Sequence, residues 1–311
     1  MAKATREAYG EALKKLAKEN SSIVVLDADL SGSTKTAEFK KVSPDRFFNV
    51  GIAEQNLIGT AAGLSLAGKI PFASSFAMFA AGRAFEIIRN TVAYPALNVK
   101  IAATHAGLTV GEDGGSHQAI EDISLMRSIP NMTVINPADS REAEQAVLKA
   151  AEYVGPVYIR LGRMAVDDVY DDSYVFELGK GVQLRDGKDV TIIATGIMVQ
   201  QAIKASEILR EEGIDARVIN IHTIKPIDKD ILIQAAKETK AIVTAEEHSI
   251  IGGLGSAVLE ALSDEYPVPL KRVGVLDTFG ESGKPSDLIE KYKLTKKEIV
   301  SKAKEVLKLK K

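Results

Sequence analysis

The chain has 311 residues, of which 45% are hydrophobic and 26% charged, and this length allows two domains of ordinary size. A formal net charge of −2 predicts no broad surface for nucleic acid or for anionic membranes. The absence of cysteine excludes disulfides, thiolate nucleophiles and cysteine-based metal sites. Because the N-terminus has no apolar signal core and no run reaches membrane-spanning length, we expect a cytoplasmic protein.

The first half of the chain alternates short β-branched runs with helical stretches. In chain order, the pattern predicts helices over 5–19, 54–67, about 78–93, about 117–128 and 140–154. Between them it predicts the strands SIVVLDAD, FFNVG, KIPFASSF, NVKIAATHAG, MTVINPA and PVYIRLGR. Apolar strands that alternate with helices indicate a parallel sheet buried on both faces.

A second α/β series follows a segment without clear periodicity. Residues 166–180 contain four aspartates, and we interpret them as a linker. After it come the strands DVTIIATG, DARVINIHTIKP, AIVTAEE and LKRVGVLD and the helical stretches 198–212, 228–239, 254–263 and 295–311. The sequence therefore predicts an α/β protein with two doubly wound domains, residues 1–165 and a smaller one over 181–311.

Polar segments follow the predicted strands of the first domain. They are DADLSGS, GIAEQ, SSFAMF, THAGLTVGEDGGSHQ, NPADS and RLGR, and the corresponding loops of the second domain are plainer. Since doubly wound domains bind ligands at the carboxyl ends of their strands, we expect a site at this edge of the first domain.

Glu54 is an unusual acid within these segments. It lies where an apolar strand ends and a helix of small and apolar residues begins, and no cation lies near it in the sequence. A structural interpretation is that it interacts favourably with the positive end of the helix dipole. The alternative is that the carboxylate is kept there for chemistry.

The loop THAGLTVGEDGGSHQ contains Gly107, Gly111, Gly114 and Gly115, which would let its backbone approach a ligand closely. Two histidines and two acids surround these glycines, but they lack the rigid spacing of a metal site. The plain alternative is a solvated loop in which Ser116 caps a helix starting near His117. No known phosphate-binding fingerprint and no G-x-S-x-G elbow is present, so a cofactor or a second chain would have to complete the machinery.

Five segments resemble the C-terminal half of transketolase in their order and spacing. They are NVGIAEQN, PFASSFAMF, THAGLTVGEDGGSHQ, SIPNMTVINPAD and RLGR, and the resemblance covers essentially the whole chain. It implies a thiamine-diphosphate pyrimidine-binding domain followed by a transketolase C-terminal-type domain, as one subunit of a split transketolase. The GDG…N magnesium motif of the family's other half does not occur in this sequence.

The resemblance therefore implies an N-terminal partner subunit with the diphosphate-binding domain. That partner would hold most of the diphosphate of thiamine diphosphate and its Mg²⁺ or Ca²⁺, and the present chain would supply no metal ligand. An α2β2 assembly is expected, and the chain alone would be inactive.

The resemblance also implies roles for individual residues. Glu54 matches the glutamate that hydrogen-bonds N1′ of the cofactor's aminopyrimidine, and with His117 it is the implied catalytic residue. The implied cofactor contacts are Glu54, Ile52, Phe76, Phe79 (the stacking partner) and Asp29, whereas Gly82 stands where a third aromatic is expected. The implied sugar-phosphate contacts are Arg6, Ser33, His105, Asp113, His117 and Arg163.

Two departures from the family's pattern affect the residues that are implied to hold the sugar phosphate. Ala106 and Gly107 stand where the family often has Asp-Ser. Arg160 is a second cation three positions before Arg163, so either arginine could be the one that matches the family's phosphate-binding arginine. The other two histidines, His222 and His248, have no catalytic partner in the pattern, and we expect them to be structural or at a subunit contact.

The implied reaction is transfer of a two-carbon ketol unit from a ketose phosphate to an aldose phosphate. Alternatives within the family are the β chain of a 2-oxoacid dehydrogenase and an enzyme of the 1-deoxyxylulose-5-phosphate synthase type. An alternative of another class is a non-catalytic regulatory subunit that retains the fold. Glu54, Phe79 and His117 argue against it, because a chain freed from cofactor binding need not keep an acid in an apolar setting.

Overall fold

The computed structural model describes residues 2–310. The strands are β1 Lys3–Ala4, β2 Ile23–Asp27, β3 Phe47–Asn49, β4 Ile70–Phe76, β5 Lys100–Thr104, β6 Thr133–Ile135, β7 Val157–Arg160, β8 Ala165–Val166, β9 Val182–Arg185, β10 Val190–Ala194, β11 Ala216–Asn220, β12 Thr223–Lys225, β13 Ile242–Ser249 and β14 Leu270–Val275. The helices are α1 Thr5–Glu19, α2 Ser31–Thr34, α3 Ala37–Val42, α4 Glu54–Leu66, α5 Phe85–Ile87, α6 Asp122–Ser128, α7 Ser140–Glu152, α8 Met198–Glu211, α9 Lys229–Thr239, α10 Leu254–Ser263, α11 Pro285–Lys291 and α12 Lys296–Leu307. Within residues 2–310, no helix is long and apolar enough to cross a membrane.

The first domain is built on a sheet with the strand order β12–β6–β7–β5–β4–β2–β3. All neighbouring strands are parallel except β12, which pairs antiparallel with β6. In β2, Ile23 and Val25 pack with α1 and α7, while Val24 and Leu26 pack with α4 and α6 on the other face. Alternate side chains of a strand point to opposite faces, so a continuously apolar strand is what a sheet covered on both faces requires.

The second domain repeats this architecture around the strand order β14–β13–β10–β11–β9. Helices α8 and α12 cover one face of this sheet, and α9 and α10 cover the other. The predicted α/β fold with two doubly wound domains is therefore confirmed. The pattern missed the antiparallel edge strand β9, whose residues are half-buried or exposed, and the short helix α11.

The prediction of one strand over DARVINIHTIKP is wrong. The chain forms β11 in the second sheet, leaves it after Asn220, and then adds β12 to the edge of the first sheet. The apolar run is continuous because both pieces are buried, so periodicity alone cannot reveal that they belong to different sheets.

The segment 166–180, predicted as a linker, packs against the first domain. The rings of Tyr170 and Tyr174 stack with centroids 3.7 Å apart, and Phe176 is buried. The Tyr174 hydroxyl donates to Glu142 at 2.6 Å. The boundaries 1–165 and 181–311 stay a prediction, since β12 also ties the second half of the chain to the first sheet.

The predicted helix over 78–93 is helical but not a regular α-helix. Met78–Arg83 and Ile88–Ala93 are π-helical, with α5 between them. Such wider turns are frequent at functional sites, and this one carries Phe79 and Arg83.

Candidate active site

The residues predicted for the site follow neighbouring strands of the first sheet. Asp29 follows β2, Ile52 and Glu54 follow β3, Phe76 ends β4, His105 follows β5 and Arg163 follows β7. Because parallel strands present their carboxyl ends at one edge, the topology brings these residues to the same side of the domain.

Glu54 is the first residue of α4, and its side chain is only 2% exposed. A cation does lie beside it in space, because Arg83 Nη1 donates to Glu54 Oε2 at 2.8 Å. Sequence reasoning missed Arg83, which is 29 positions away. A signal was present: an arginine four residues after Phe79 in a helical segment lies near that phenylalanine on the helix surface.

The Arg83 guanidinium also lies over the Phe79 ring, 4.7 Å from its centroid. A guanidinium is planar and donates hydrogen bonds in its plane. One planar N–H donor can thus bond the Glu54 carboxylate and pack on Phe79 at the same time. An aminopyrimidine ring is also planar, and its protonated N1′ is an N–H donor, so these two residues fit the ring that the resemblance implies.

Aromatic rings join the predicted cofactor and sugar contacts. Phe76 stacks on Phe79 with centroids 6.0 Å apart and on His105 at 3.8 Å. His117 meets the Phe79 ring edge-on at 5.2 Å. The structure therefore places both histidines next to the phenylalanines, although the two histidines are separated by most of the glycine-rich loop.

Arg6, Ser33 and His105 form one hydrogen-bonded group. Arg6 Nη1 donates to the Ser33 carbonyl at 3.0 Å and to His105 Nε2 at 3.1 Å, while His105 Nδ1 is 2.9 Å from Thr104 Oγ1. Burial, and then the charges of Arg6 and Arg163, lower the pKa of His105 to about 3, so its ring is neutral at pH 7. A neutral ring that accepts from Arg6 at Nε2 carries its proton on Nδ1.

Arg163 and Arg160 have different surroundings. Arg163 Nη1 donates to the Val110 carbonyl at 2.5 Å, lies 3.6 Å from Asp113 Oδ2, and is partly exposed. Arg160 is buried and its Nε donates to both oxygens of Asp122, at 2.9 and 3.2 Å. The Arg160 guanidinium is thus buried and bonded within the protein. Arg163 lies near Arg6 and His105, which are also predicted to contact the sugar phosphate.

Asp29 and Ile52 lie at the rim of this edge. Asp29 Oδ1 accepts from Asn49 Nδ2 at 2.8 Å, which ties the end of β2 to the end of β3. Ile52 is 78% exposed, two residues before the buried Glu54.

The prediction of a helix starting near His117 is wrong. Helix α6 begins at Asp122, and Ser116 caps nothing, since its hydroxyl lies 3.0 Å from His117 Nδ1. The residues before α6 form a loop instead, in which the Gly107 N–H donates to the Ala119 carbonyl at 2.9 Å. The glycines of this loop permit close approach of the second domain: a Cβ at Gly115 would lie 2.7 Å from the Gly280 carbonyl oxygen.

His222 and His248 make structural contacts. His222 is buried with Nδ1 2.9 Å from Thr223 Oγ1, and its ring packs on Phe176. His248 Nε2 accepts the Ser124 N–H at 3.3 Å, a contact between the two domains. Burial lowers the pKa of each to about 4, so both rings are neutral at pH 7. Within residues 2–310, no three His, Asp or Glu side chains are grouped so as to hold a metal ion.

Comparison with known families agrees with this arrangement. The model described as "Transketolase, pyrimidine binding domain" matches residues 1–168, and that described as "Transketolase, C-terminal domain" matches residues 179–299. The fold and the site thus define a pyrimidine-binding domain joined to a transketolase C-terminal domain. The chain belongs to the transketolase family.

Several relatives match this chain along nearly their whole length. The "Putative transketolase C-terminal section" of Methanocaldococcus jannaschii is 54% identical over 98% of this chain and 97% of its own. The 6-deoxy-6-sulfo-D-fructose transketolase subunit SqwH of a Clostridium species is 47% identical over 97% and 94%. Among solved structures, a split-gene transketolase described as an inactive beta4 tetramer is 60% identical, with a TM-score of 0.93 over 99% of both chains.

Proposed function

We propose that this chain is one subunit of a split transketolase, which transfers a two-carbon ketol unit from a ketose phosphate to an aldose phosphate. The proposal depends on one observation: the buried Glu54 carboxylate holds a planar N–H donor that also packs on Phe79. When bound, thiamine diphosphate supplies the carbanion stabilisation that lets a carbon–carbon bond beside a carbonyl break and re-form.

In this proposal the chain's own residues orient that cofactor and move a proton. Glu54 hydrogen-bonds the N1′ position with its carboxylate and shares the proton there, a task that requires heavy-atom contact near 3 Å. Phe79 and Phe76 pack against the ring, with Ile52 and Asp29 at the rim. To His117, whose ring meets the edge of Phe79, the proposal assigns a hydrogen bond to a sugar hydroxyl near the reacting carbons.

The same edge carries a group suited to a phosphate. Burial and the charge of Arg163 lower the pKa of Arg6, and Arg6 Nε is a buried donor without a hydrogen-bond partner. Two guanidinium groups that repel each other are stabilised by a dianion placed between them. We therefore assign the sugar phosphate to Arg6, Ser33, His105 and Arg163, and a sugar hydroxyl to Asp113.

A partner subunit completes the proposal. An N-terminal subunit with the diphosphate-binding domain would hold the diphosphate and Mg²⁺ or Ca²⁺, in an α2β2 complex in the cytoplasm. The names of two relatives, a C-terminal section and a subunit, support a partner that carries the other half.

The alternatives from the sequence predict different substrates. A 2-oxoacid enzyme has no need for two arginines at the sugar-phosphate end, and a non-catalytic subunit has no need for a buried glutamate at the cofactor pocket. A synthase of the 1-deoxyxylulose-5-phosphate type would release carbon dioxide from a 2-oxoacid donor, which a transketolase would not.

The test is reconstitution with a candidate N-terminal partner, thiamine diphosphate and Mg²⁺. We expect transfer from a ketose phosphate to an aldose phosphate by the mixture, and none by either chain alone. Release of carbon dioxide from pyruvate without ketol transfer would instead support a relative's reaction. No turnover with any partner that forms a stable complex would favour the regulatory subunit.

A further inference from the structure

The second domain holds the loop that carries the predicted sugar contacts. This loop, residues 105–118, connects β5 to the segment that precedes α6. Glu247, near the end of β13 in the second domain, accepts the Thr109 N–H at 2.6 Å with Oε1. Both residues are buried, and 138 positions separate them in the sequence.

The loop and the carboxylate are matched in shape. A Cβ at Gly107 would lie 2.3 Å from Glu247 Cδ, closer than real atoms approach, and Gly107 has a φ of +82°. Only glycine can adopt this positive φ without strain and also avoid the clash with the Glu247 carboxylate. A second contact lies further along the loop, where Gln118 Nε2 donates to the Glu281 carbonyl at 2.9 Å.

Glu247 is itself fixed against the first domain. Its carbonyl accepts from Arg160 Nη2 at 2.9 Å, and Arg160 is in turn paired with Asp122. Two residues further on, Ser249 N–H bonds the Ile120 carbonyl at 2.8 Å. The carboxylate that accepts from Thr109 therefore projects from a backbone that is bonded to the first domain at Glu247 itself and two residues further on.

One short turn connects Glu247 to the sugar-phosphate residues. Thr109 is the middle residue of the 3-10 turn Leu108–Val110, and the Val110 carbonyl accepts from Arg163. Arg163 also lies 3.6 Å from Asp113. A shift of this turn would move the hydrogen-bond acceptor that orients the Arg163 guanidinium.

We infer that Glu247 is a positioning residue for the sugar-phosphate site, which fixes the 108–110 turn and, through it, Arg163 and Asp113. The inference rests on the proposed function for the identity of the substrate, but not for the anchoring of the loop. The second domain, which supplies none of the predicted site residues, then takes part in substrate recognition without touching the substrate.

The kinetic test uses the complex assembled with the N-terminal partner, thiamine diphosphate and Mg²⁺. We expect Glu247→Ala to raise KM for the ketose phosphate about tenfold, which is about the value of one buried hydrogen bond. Glu247→Gln keeps an acceptor oxygen and should restore most of the affinity, and the exposed Glu211→Gln is the matched control. The apparent Kd of thiamine diphosphate should not change in any of them.

A purely structural role gives a different result. Partial unfolding would lower the fraction of active complex, and with it the apparent kcat, while the remaining molecules kept the normal KM. A KM for Glu247→Ala within about twofold of the wild-type value, at unchanged cofactor affinity, would overturn the positioning role.

Amide hydrogen exchange of the chain alone tests the anchor independently of activity. We expect faster exchange at Thr109 and its neighbours in Glu247→Ala, and near wild-type protection in Glu247→Gln. Gly107→Ala should speed the same amides, and less so when combined with Glu247→Ala, since the clash is then removed. Unchanged exchange in Glu247→Ala would overturn the inference. If exchange is faster in Glu247→Ala but the wild-type complex transfers no ketol unit, the proposed function is overturned and the role of Glu247 in anchoring the loop is kept.

Discussion

The two domains share one architecture, yet the carboxyl ends of their strands are used differently. In the first domain, this edge carries Glu54, His105 and Arg163, which have partly exposed or exchangeable partners. In the second, the end of β13 carries Glu246 and Glu247, which are buried and accept backbone N–H groups at 2.6 to 2.9 Å. Polar residues at a strand end thus indicate a ligand site only where their hydrogen bonds are free to be exchanged.

The largest expected effect concerns Arg160, which ends β7 in the first domain but is buried and donates to the Glu247 carbonyl of the second domain. Arg160→Ala leaves Asp122 as a buried charge without its partner, and we expect a loss of about 3–5 kcal/mol in the free energy of unfolding. Urea unfolding followed by circular dichroism measures it, with Arg163→Ala as the control. A loss below about 1 kcal/mol would show that this buried ion pair contributes little to stability.

A pH-dependent effect is expected at Glu142, which binds the predicted linker through Tyr174. Burial raises the pKa of Glu142 to about 7, so the folded chain keeps a proton that the unfolded chain loses near pH 4.5. The wild type therefore loses stability as pH rises from about 4.5 to 7, by up to about 3 kcal/mol from this group. In Glu142→Gln this loss is absent, so the variant should gain stability relative to the wild type over that interval.

Urea titrations at pH 5, 6 and 7 measure this gain, with the exposed Glu265→Gln as the control. A difference between Glu142→Gln and the wild type that does not change with pH would show that Glu142 titrates near its ordinary pKa.

At the strand ends of the first domain, Arg163→Ala should raise KM for phosphorylated sugars about tenfold, because the proposed charge-assisted contact to the phosphate is lost. For the same sugars without phosphate the change should be small. Steady-state kinetics of the reconstituted complex separate the two cases, and Arg163→Lys should be intermediate. An equal loss for both kinds of sugar would assign Arg163 to the loop alone, through its bond to Val110.

The smallest expected effect concerns Arg83. Because Arg83 donates to Glu54 and lies over Phe79, a cofactor ring that uses these residues has to displace it. Arg83→Ala should therefore tighten thiamine diphosphate binding about threefold to tenfold, as measured by fluorescence or calorimetry. Weaker binding would show that Arg83 stays in the loaded site as part of it.

The sequence was informative where the signal is local. A buried strand followed by polar residues placed Glu54, Phe76 and His105 at one edge. The resemblance to transketolase added Arg6 and Ser33, which hydrogen bonds join to His105. The arrangement of the loop before α6 was not predictable in this way, because its glycines face the second domain rather than their own neighbours. The same holds for Glu247 and β12, whose contacts lie about 90 to 140 positions away along the chain.

Arg83 combines a contact that is local in the sequence with one that is not. Its distance from Phe79 was readable from helical spacing, but its contact with Glu54 depends on how two helical segments pack. The predicted roles of the individual site residues stay proposals, and the geometry identifies which of them to change first.

The decisive measurement is ketol transfer by the reconstituted complex with Glu54→Ala at saturating thiamine diphosphate and Mg²⁺. If the Glu54 carboxylate handles the proton at N1′, the rate should fall by about 10²- to 10⁴-fold while the complex still assembles and binds the diphosphate. Activity within about tenfold of the wild type under these conditions would contradict the proposed role of this edge of the first domain.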